Sequence, residues 1–162
     1  MEAFLLEPVV TLALRTFLAL LFLTAAWSKL THVEEFYGVV RNFRLVPDAA
    51  SRVLAWALPV VELLIAVGLV VRPLTALAAT GAAVLLVVFA FALGINVLRG
   101  RTSIDCGCLR KGLKQPVSGW LVARNLVLAA LALVVVAVLP RVGQAGLVDI
   151  VTGLMAGATA ML

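Results

Sequence analysis

Residues 52–98 read RVLAWALPVVELLIAVGLVVRPLTALAATGAAVLLVVFAFALGINVL, and this stretch decides the fold. After Arg52, its charged residues are Glu62 and Arg72. Arg72-Pro73 divides it into apolar runs from about Arg52 to Val71 and from about Leu74 to Leu98. Each run matches the roughly 20 residues that a helix needs to cross a bilayer. Proline has no N–H with which to continue a helix, so Arg72-Pro73 is read as a tight turn and the two runs as a transmembrane hairpin.

The pattern extends to both sides of this hairpin. A first span is predicted from about Pro8 to Trp27, closed by Lys29, with Pro8 suited to a first helical turn where its missing N–H would be unpaired anyway. Glu2 and Glu7 stand where a cleavable signal peptide would carry cations, so this span is read as part of the mature protein. Between Thr31 and Ser51, Phe36, Val39, Val40 and Phe43 recur at helical spacing among His32, Glu34, Glu35, Arg41, Arg44 and Asp48; an amphipathic helix in the interface is predicted. A fourth span runs from about Val117 to Leu139 and is closed by Pro140-Arg141. Gly143 to Leu162 is apolar again, with Asp149 in its first turn and Gly153 and Gly157 at small-xxx-small spacing, and is read as a fifth span. No internal repeat is evident. The expected fold is all-α: a polytopic membrane bundle with a four-helix core over residues 1–140 and a C-terminal apolar segment over 141–162.

Composition agrees. Hydrophobic residues make up 64% of the 162 and charged residues 13%, and the mean hydropathy is +1.19. Such a chain is solvated by the lipid bilayer, and its length leaves no room for a separate soluble catalytic domain. The net charge of +5 and pI near 10.0 do not point to nucleic acid, because the cations are scattered around span ends with no basic, aromatic-interleaved stretch. They read as topology signals. If every span crosses, Lys29, Arg41, Arg44, Arg52, Arg99, Arg101, Arg110, Lys111 and Lys114 fall on one side, and only Arg72 and Arg141 on the other. The positive-inside rule then places the N-terminus outside and the loop after the third span at the cytoplasmic face. Trp27, Trp56 and Trp120 fall near span ends on that same side, as an interfacial aromatic belt would.

Residues that a lipid-facing helix should not contain mark the bundle interior. Arg15, Glu62, Asn96, Arg124 and Asn125 all lie within predicted spans, and an isolated charge at such depth is costly. Counting depth at about 1.5 Å per residue brings Arg15 and Arg124 within reach of Glu62 from opposite faces, so one carboxylate shared by two arginines is expected. A structural clamp and a mid-membrane proton or ligand site are both compatible with this cluster.

The only two cysteines of the chain are Cys106 and Cys108, in the loop Ile104-Asp105-Cys106-Gly107-Cys108-Leu109-Arg110-Lys111-Gly112. Arg99, Arg101, Arg110 and Lys111 lie nearby, and cations favour thiolate over thiol. Gly107 removes the Cβ that would crowd a Cys-X-Cys ring, and so small a ring is strained and easily reduced. A redox pair is the leading reading. Soft-metal ligation is the second, with His32, the only imidazole, as a third ligand from the loop on the same side. An incidental pair is the third.

Arg15, Trp27-Ser28-Lys29-Leu30, Phe36, Pro59-Val60-Val61-Glu62, Cys106-Gly107-Cys108 and Arg124-Asn125, in that order, resemble the MauE/DoxX family of small bacterial membrane proteins, most nearly its MauE branch. The resemblance covers about Thr11 to Leu139. It implies a four-helix membrane core in the bacterial inner membrane and an association with redox or sulfur metabolism. For the MauE branch it implies a role in maturing the disulfide-rich small subunit of periplasmic methylamine dehydrogenase. The triplet is commonly followed in the family by an aromatic residue and glycine, whereas here Leu109-Arg110-Lys111-Gly112 follows.

The functional expectation is thiol-disulfide exchange with a thioredoxin-like or disulfide-bearing client. Cys106 and Cys108 would be the redox pair, with Arg99, Asp105, Arg110, Lys111 and Lys29 in support and Arg15, Glu62, Arg124 and Asn125 in the bundle. Whether this amounts to oxidoreductase activity of the chain itself stays open. The rivals are a transporter or assembly factor that passes a soft metal or sulfur compound through the Cys-Gly-Cys pair, and a non-catalytic scaffold for a redox partner. A cytoplasmic triplet does not meet periplasmic clients, and two cysteines provide no second pair for a relay. Either the loop dips into the bundle, or a quinone links the two sides, or the client is cytoplasmic.

Overall fold

The computed structural model describes residues 8–100 and 118–138, together with the single position Gly157. The described elements are α1 (Pro8–Thr31), α2 (Val33–Phe43), α3 (Asp48–Val70), a 3-10 turn (Arg72–Leu74), α4 (Thr75–Leu98) and α5 (Gly119–Val138). Four of these helices, α1, α3, α4 and α5, are long and apolar enough to span a membrane. Their outer faces carry Leu64, Val70, Leu77, Phe91, Leu98 and Val127, all well exposed. A protein in water does not present so continuous an apolar exterior, so the chain is a multi-pass membrane protein.

The first four predicted spans are recovered, with shifted ends. The first runs on to Thr31 past Lys29, and the second begins at Asp48 rather than Arg52. Pro47, extended at ψ 155°, starts α3, and Asp48 follows in the first turn, where the helix dipole favours a carboxylate. The amphipathic helix expected between Thr31 and Ser51 is α2, which buries Phe36 and ends where Arg44 turns left-handed at φ 49°. An exposed ion pair, Arg41 Nε to Asp48 Oδ1 at 3.2 Å, bridges α2 to α3 and contributes little by itself.

The hairpin is as the sequence predicts. Val71 turns extended, Pro73 lies in the 3-10 turn, and the Thr75 hydroxyl donates to Val71 O at 3.2 Å. The two helices approach closely because Gly68 faces Ala78, where a Cβ on the glycine would come within 2.8 Å of the alanine Cβ. Small residues then pave α4: Ala78, Ala79, Ala82, Ala83 and Ala90 are all buried, and the first four share one core cluster with Leu128, Ala129, Ala132 and Val135 of α5. Without a hydrophobic drive between helices in lipid, this backbone proximity is what dispersion needs. α1 packs on α3 and α4 on α5, joined through the α3–α4 hairpin and a lighter contact between α1 and α5.

Two clusters fix the ends of the bundle. The main core runs through Leu18, Phe22, Ile65, Leu69, Leu86 and Val135. A smaller one joins Leu93 of α4 to Leu121 of α5, with Phe43 of α2 against it. α2 therefore lies at the end where α1 finishes, α3 starts, α4 finishes and α5 starts. The expected fifth span lies outside the described residues except for Gly157, which is helical and buried, with Thr16 and Ala13 of α1 as its neighbours.

Candidate functional site

Glu62 is 1% exposed and Lys29 4%, and the ammonium sits 2.6 Å from Oε1 and 2.9 Å from Oε2. Both carboxylate oxygens thus accept from one donor, and both side chains are shielded from the surface. Aromatic faces complete the enclosure of the cation: Phe36 of α2 and Phe89 of α4 have their ring centroids 5.3 and 5.6 Å from Nζ. Rings attract a cation through their quadrupole, most strongly where it is desolvated. One salt bridge therefore ties four helices, α1 to α4, to a single point.

Side-chain direction explains the pairing. Cα–Cβ bonds in a helix lean toward its N-terminus. Lys29, near the end of α1, leans back into the bundle; Glu62 leans toward the start of α3, hence toward Lys29. Arg15 leans the opposite way, toward the start of α1. The expected Arg15–Glu62 pair is therefore not formed, and Arg15 instead donates from Nε and Nη2 to Leu69 O at 3.1 and 2.9 Å, and from Nη2 to Val70 O at 3.2 Å. Those carbonyls end α3: Pro73 has no N–H to give Leu69 O, and the Leu74 N–H that would continue the helix to Val70 O goes to Val71 O instead. Arg15 is a side-chain cap on a helix C-terminus, where a cation also suits the dipole.

Arg124 does not reach Glu62 either: its Nε is buried with no hydrogen-bond partner. Asn125, 3% exposed, donates to Leu121 O at 2.7 Å within its own helix. Asn96 is fully buried and donates to Ala92 O at 3.0 Å, leaving its Oδ1 unpaired. A donor on α5 and an acceptor on α4 thus stand unsatisfied within two turns of the ends of the segment 101–117, and such groups are rare in a folded interior.

That segment holds Asp105, Cys106, Cys108, Arg110 and Lys111, which lie outside the described residues. Arg99, the described cation nearest to it in the chain, is exposed at the end of α4 and its backbone N–H closes on Ile95 O at 3.0 Å. His32 starts α2, with Nδ1 2.9 Å from the Thr31 hydroxyl and 3.3 Å from Ser28 O. No group of three His, Cys, Asp or Glu side chains converges among the described residues. Trp27, Trp56 and Trp120 are 69%, 55% and 75% exposed, all toward the end of the bundle that carries α2, as a belt requires.

The fold and the buried pair define a multi-pass membrane bundle with a charged centre joining its first four helices. The family described as Methylamine utilisation protein MauE matches residues 7–138, and the chain belongs to that family. Among its relatives, the methylamine utilization protein MauE of Paracoccus denitrificans is 67% identical over 162 residues, covering 100% of this chain and 87% of the relative. The protein of the same name from Paracoccus versutus is 56% identical over the same span and shares. That of Methylorubrum extorquens is 51% identical over 160 residues, 99% of this chain and 86% of the relative. No solved structure matches the chain.

Proposed function

We propose that this protein serves methylamine utilisation in the bacterial inner membrane by thiol-disulfide exchange with a client, the disulfide-rich small subunit of methylamine dehydrogenase being the client that the family resemblance favours. Cys106 and Cys108 are the exchanging pair. A thiolate of one partner attacks the disulfide of the other, a mixed disulfide forms, and the second thiol releases it. Two electrons and two protons pass between the pair and the client, in the direction their potentials dictate.

The observation that supports this reading is placement. α4 ends at Leu98 and α5 starts at Gly119, both at the end of the bundle that carries α2 and the Lys29–Glu62 pair. The cysteine segment therefore joins two helix ends on the side of the bundle that carries α2, directly after Arg99 in the chain. By the charge asymmetry this end faces the cytoplasm. On that face the pair exchanges directly only with a client that is still in the cytoplasm; a client already in the periplasm would have to be linked to the pair by a two-electron carrier that moves between the faces, a class to which quinones belong.

Changing Cys108 to Ser should trap a mixed disulfide between Cys106 and the client, and the reciprocal change tests the other order of attack. Purified protein equilibrated across glutathione ratios and quenched with an alkylating reagent should interconvert between dithiol and disulfide. If both cysteines stay reduced throughout while stoichiometric zinc or copper is retained and lost in the double serine variant, the pair is a metal carrier instead. If serine at both positions leaves client maturation unchanged, the chain is a scaffold.

A further inference from the structure

Between α1 and α3, at the end of the bundle that carries Arg72, lies a groove of about 430 Å³. Leu20, Leu23, Ala66 and Val67 form its apolar floor toward the middle of the membrane, and Arg15 and Val71 its upper end. Val67, Val70 and Val71 are exposed along its rim, 52%, 69% and 40%, so it opens sideways to lipid.

Among the described residues, no carboxylate compensates the charge at its upper end. Arg15 spends Nε and Nη2 on the Leu69 and Val70 carbonyls, neutral acceptors. Among the described residues Nη1 has no partner and no carboxylate pairs with the guanidinium. The charge that acts on it is another cation, the exposed Arg72. Two arginines with no carboxylate beside them among the described residues, at the level of a helix end, above an apolar trough, are complementary to a molecule with a phosphate at one end and an acyl chain at the other. Guanidinium forks bind phosphate oxygens with directed hydrogen bonds, and a desolvated cation at this depth needs a counter-charge.

We propose that this groove is a specific site for one anionic phospholipid, its phosphate against the free edge of Arg15 and against Arg72, one acyl chain along Leu20, Leu23 and Val67. The lipid then neutralises the charge that caps α3 and fills the seam between α1 and α3.

The test is the thermal midpoint and native mass spectrum of the full chain, delipidated in a neutral detergent and titrated with phosphatidylglycerol, phosphatidylcholine or inorganic phosphate. Phosphatidylglycerol should raise the midpoint and remain as a single bound copy, with an affinity about tenfold or more above phosphatidylcholine. Arg15 itself caps α3, so the deciding variants lie on the rim. Arg72→Gln removes one phosphate contact, and Val67→Trp fills the trough from an exposed position; each should abolish most of the lipid shift without lowering the lipid-free midpoint. Equal shifts with phosphatidylcholine, the full shift retained in both variants, or the same shift with inorganic phosphate alone would each overturn the proposal, the last in favour of a free-anion site.

Discussion

Lys29 meets Glu62 across the interior because both side chains lean toward the N-termini of antiparallel helices, closing a contact of 2.6 Å between residues that lie at different heights on α1 and α3. Neither charge is tolerable alone at that depth, and each is what makes the other affordable. The energetic consequence is asymmetric. Replacing both partners with apolar residues of similar volume is often neutral or stabilising, whereas removing one leaves a buried charge and costs about 3–5 kcal/mol.

Glu62→Gln and Lys29→Met should therefore each lower the midpoint of unfolding in detergent, by an amount on the order of 10 °C for a chain of this size. The double change Lys29→Met/Glu62→Leu should recover most of that loss. Thermal unfolding of the four proteins, read as a cycle, measures the coupling. A double variant as unstable as the sum of the two singles would show that the pair is not the unit that the geometry describes.

Arg15 is predicted to act through the end of α3 and not through Glu62. Arg15→Met removes charged hydrogen bonds from Leu69 O and Val70 O, each worth about 1.5–3 kcal/mol, and should destabilise the protein accordingly. Arg15→Lys should fall between the two, since an ammonium offers a point charge without the fork that spans both carbonyls. In a double-mutant cycle, Arg15→Met and Glu62→Gln should be additive within about 0.5 kcal/mol. Strong coupling between them would restore the shared-carboxylate arrangement.

Hydropathy and the Arg72-Pro73 break are enough to read the four spans and the hairpin from the chain, because lipid imposes length and polarity on each helix independently of its neighbours. The polar residues of the interior are legible too: Arg15, Glu62, Asn96 and Asn125 are conspicuous against their surroundings, and all four are buried. Their partners are not. Depth counting treats a side chain as a point at its Cα, whereas Lys29 and Arg15 extend by several ångströms in directions set by the helix they stand on. Including that lean pairs Lys29 with Glu62 and turns Arg15 away. Phe89 gave no signal, since one aromatic in an apolar span is indistinguishable from any other until the fold sets it over Nζ at 5.6 Å.

Close helix approach gives a second structural test. Gly68→Ala adds a Cβ 2.8 Å from that of Ala78, with backbone behind it, so α3 and α4 must separate at about 1–3 kcal/mol of overpacking cost. Gly81→Ala meets only Ile65 side-chain atoms at 3.7 and 3.8 Å, ordinary contact, and should be neutral or slightly stabilising. Pairing Gly68→Ala with Ala78→Gly returns the missing space and should rescue most of the loss. A Gly68→Ala protein with an unchanged thermal midpoint would show that α3 and α4 do not meet this closely at Gly68.

At Gly157 the same reasoning tests the C-terminal segment. A Cβ there would stand 2.7 Å from Thr16 Cβ and 3.1 Å from Ala13 O, and the carbonyl belongs to the α1 backbone and cannot move aside. Gly157→Val should therefore detach this part of the segment from α1 and lower the midpoint, while Gly153→Val serves as a comparison within the same small-residue pattern. Limited proteolysis should then release the C-terminal residues from the Gly157→Val protein well before the parent. Equal resistance in both would mean that residue 157 does not pack on α1.

Orientation is open to a direct chemical test because the chain has only two cysteines, Cys106 and Cys108, both between α4 and α5. The charge asymmetry predicts that this end faces the cytoplasm, and the three exposed tryptophans at the same end fit its headgroup layer. After mild reduction, a membrane-impermeant thiol reagent should leave intact cells unlabelled and label inverted vesicles. A cysteine introduced beside the hairpin turn, Leu74→Cys in a Cys106→Ser/Cys108→Ser background, should show the reverse, because Leu74 is exposed at the opposite end. Labelling of the native pair from outside would reverse the orientation, remove the need for a carrier across the membrane, and put the thiols on the side where periplasmic disulfides form.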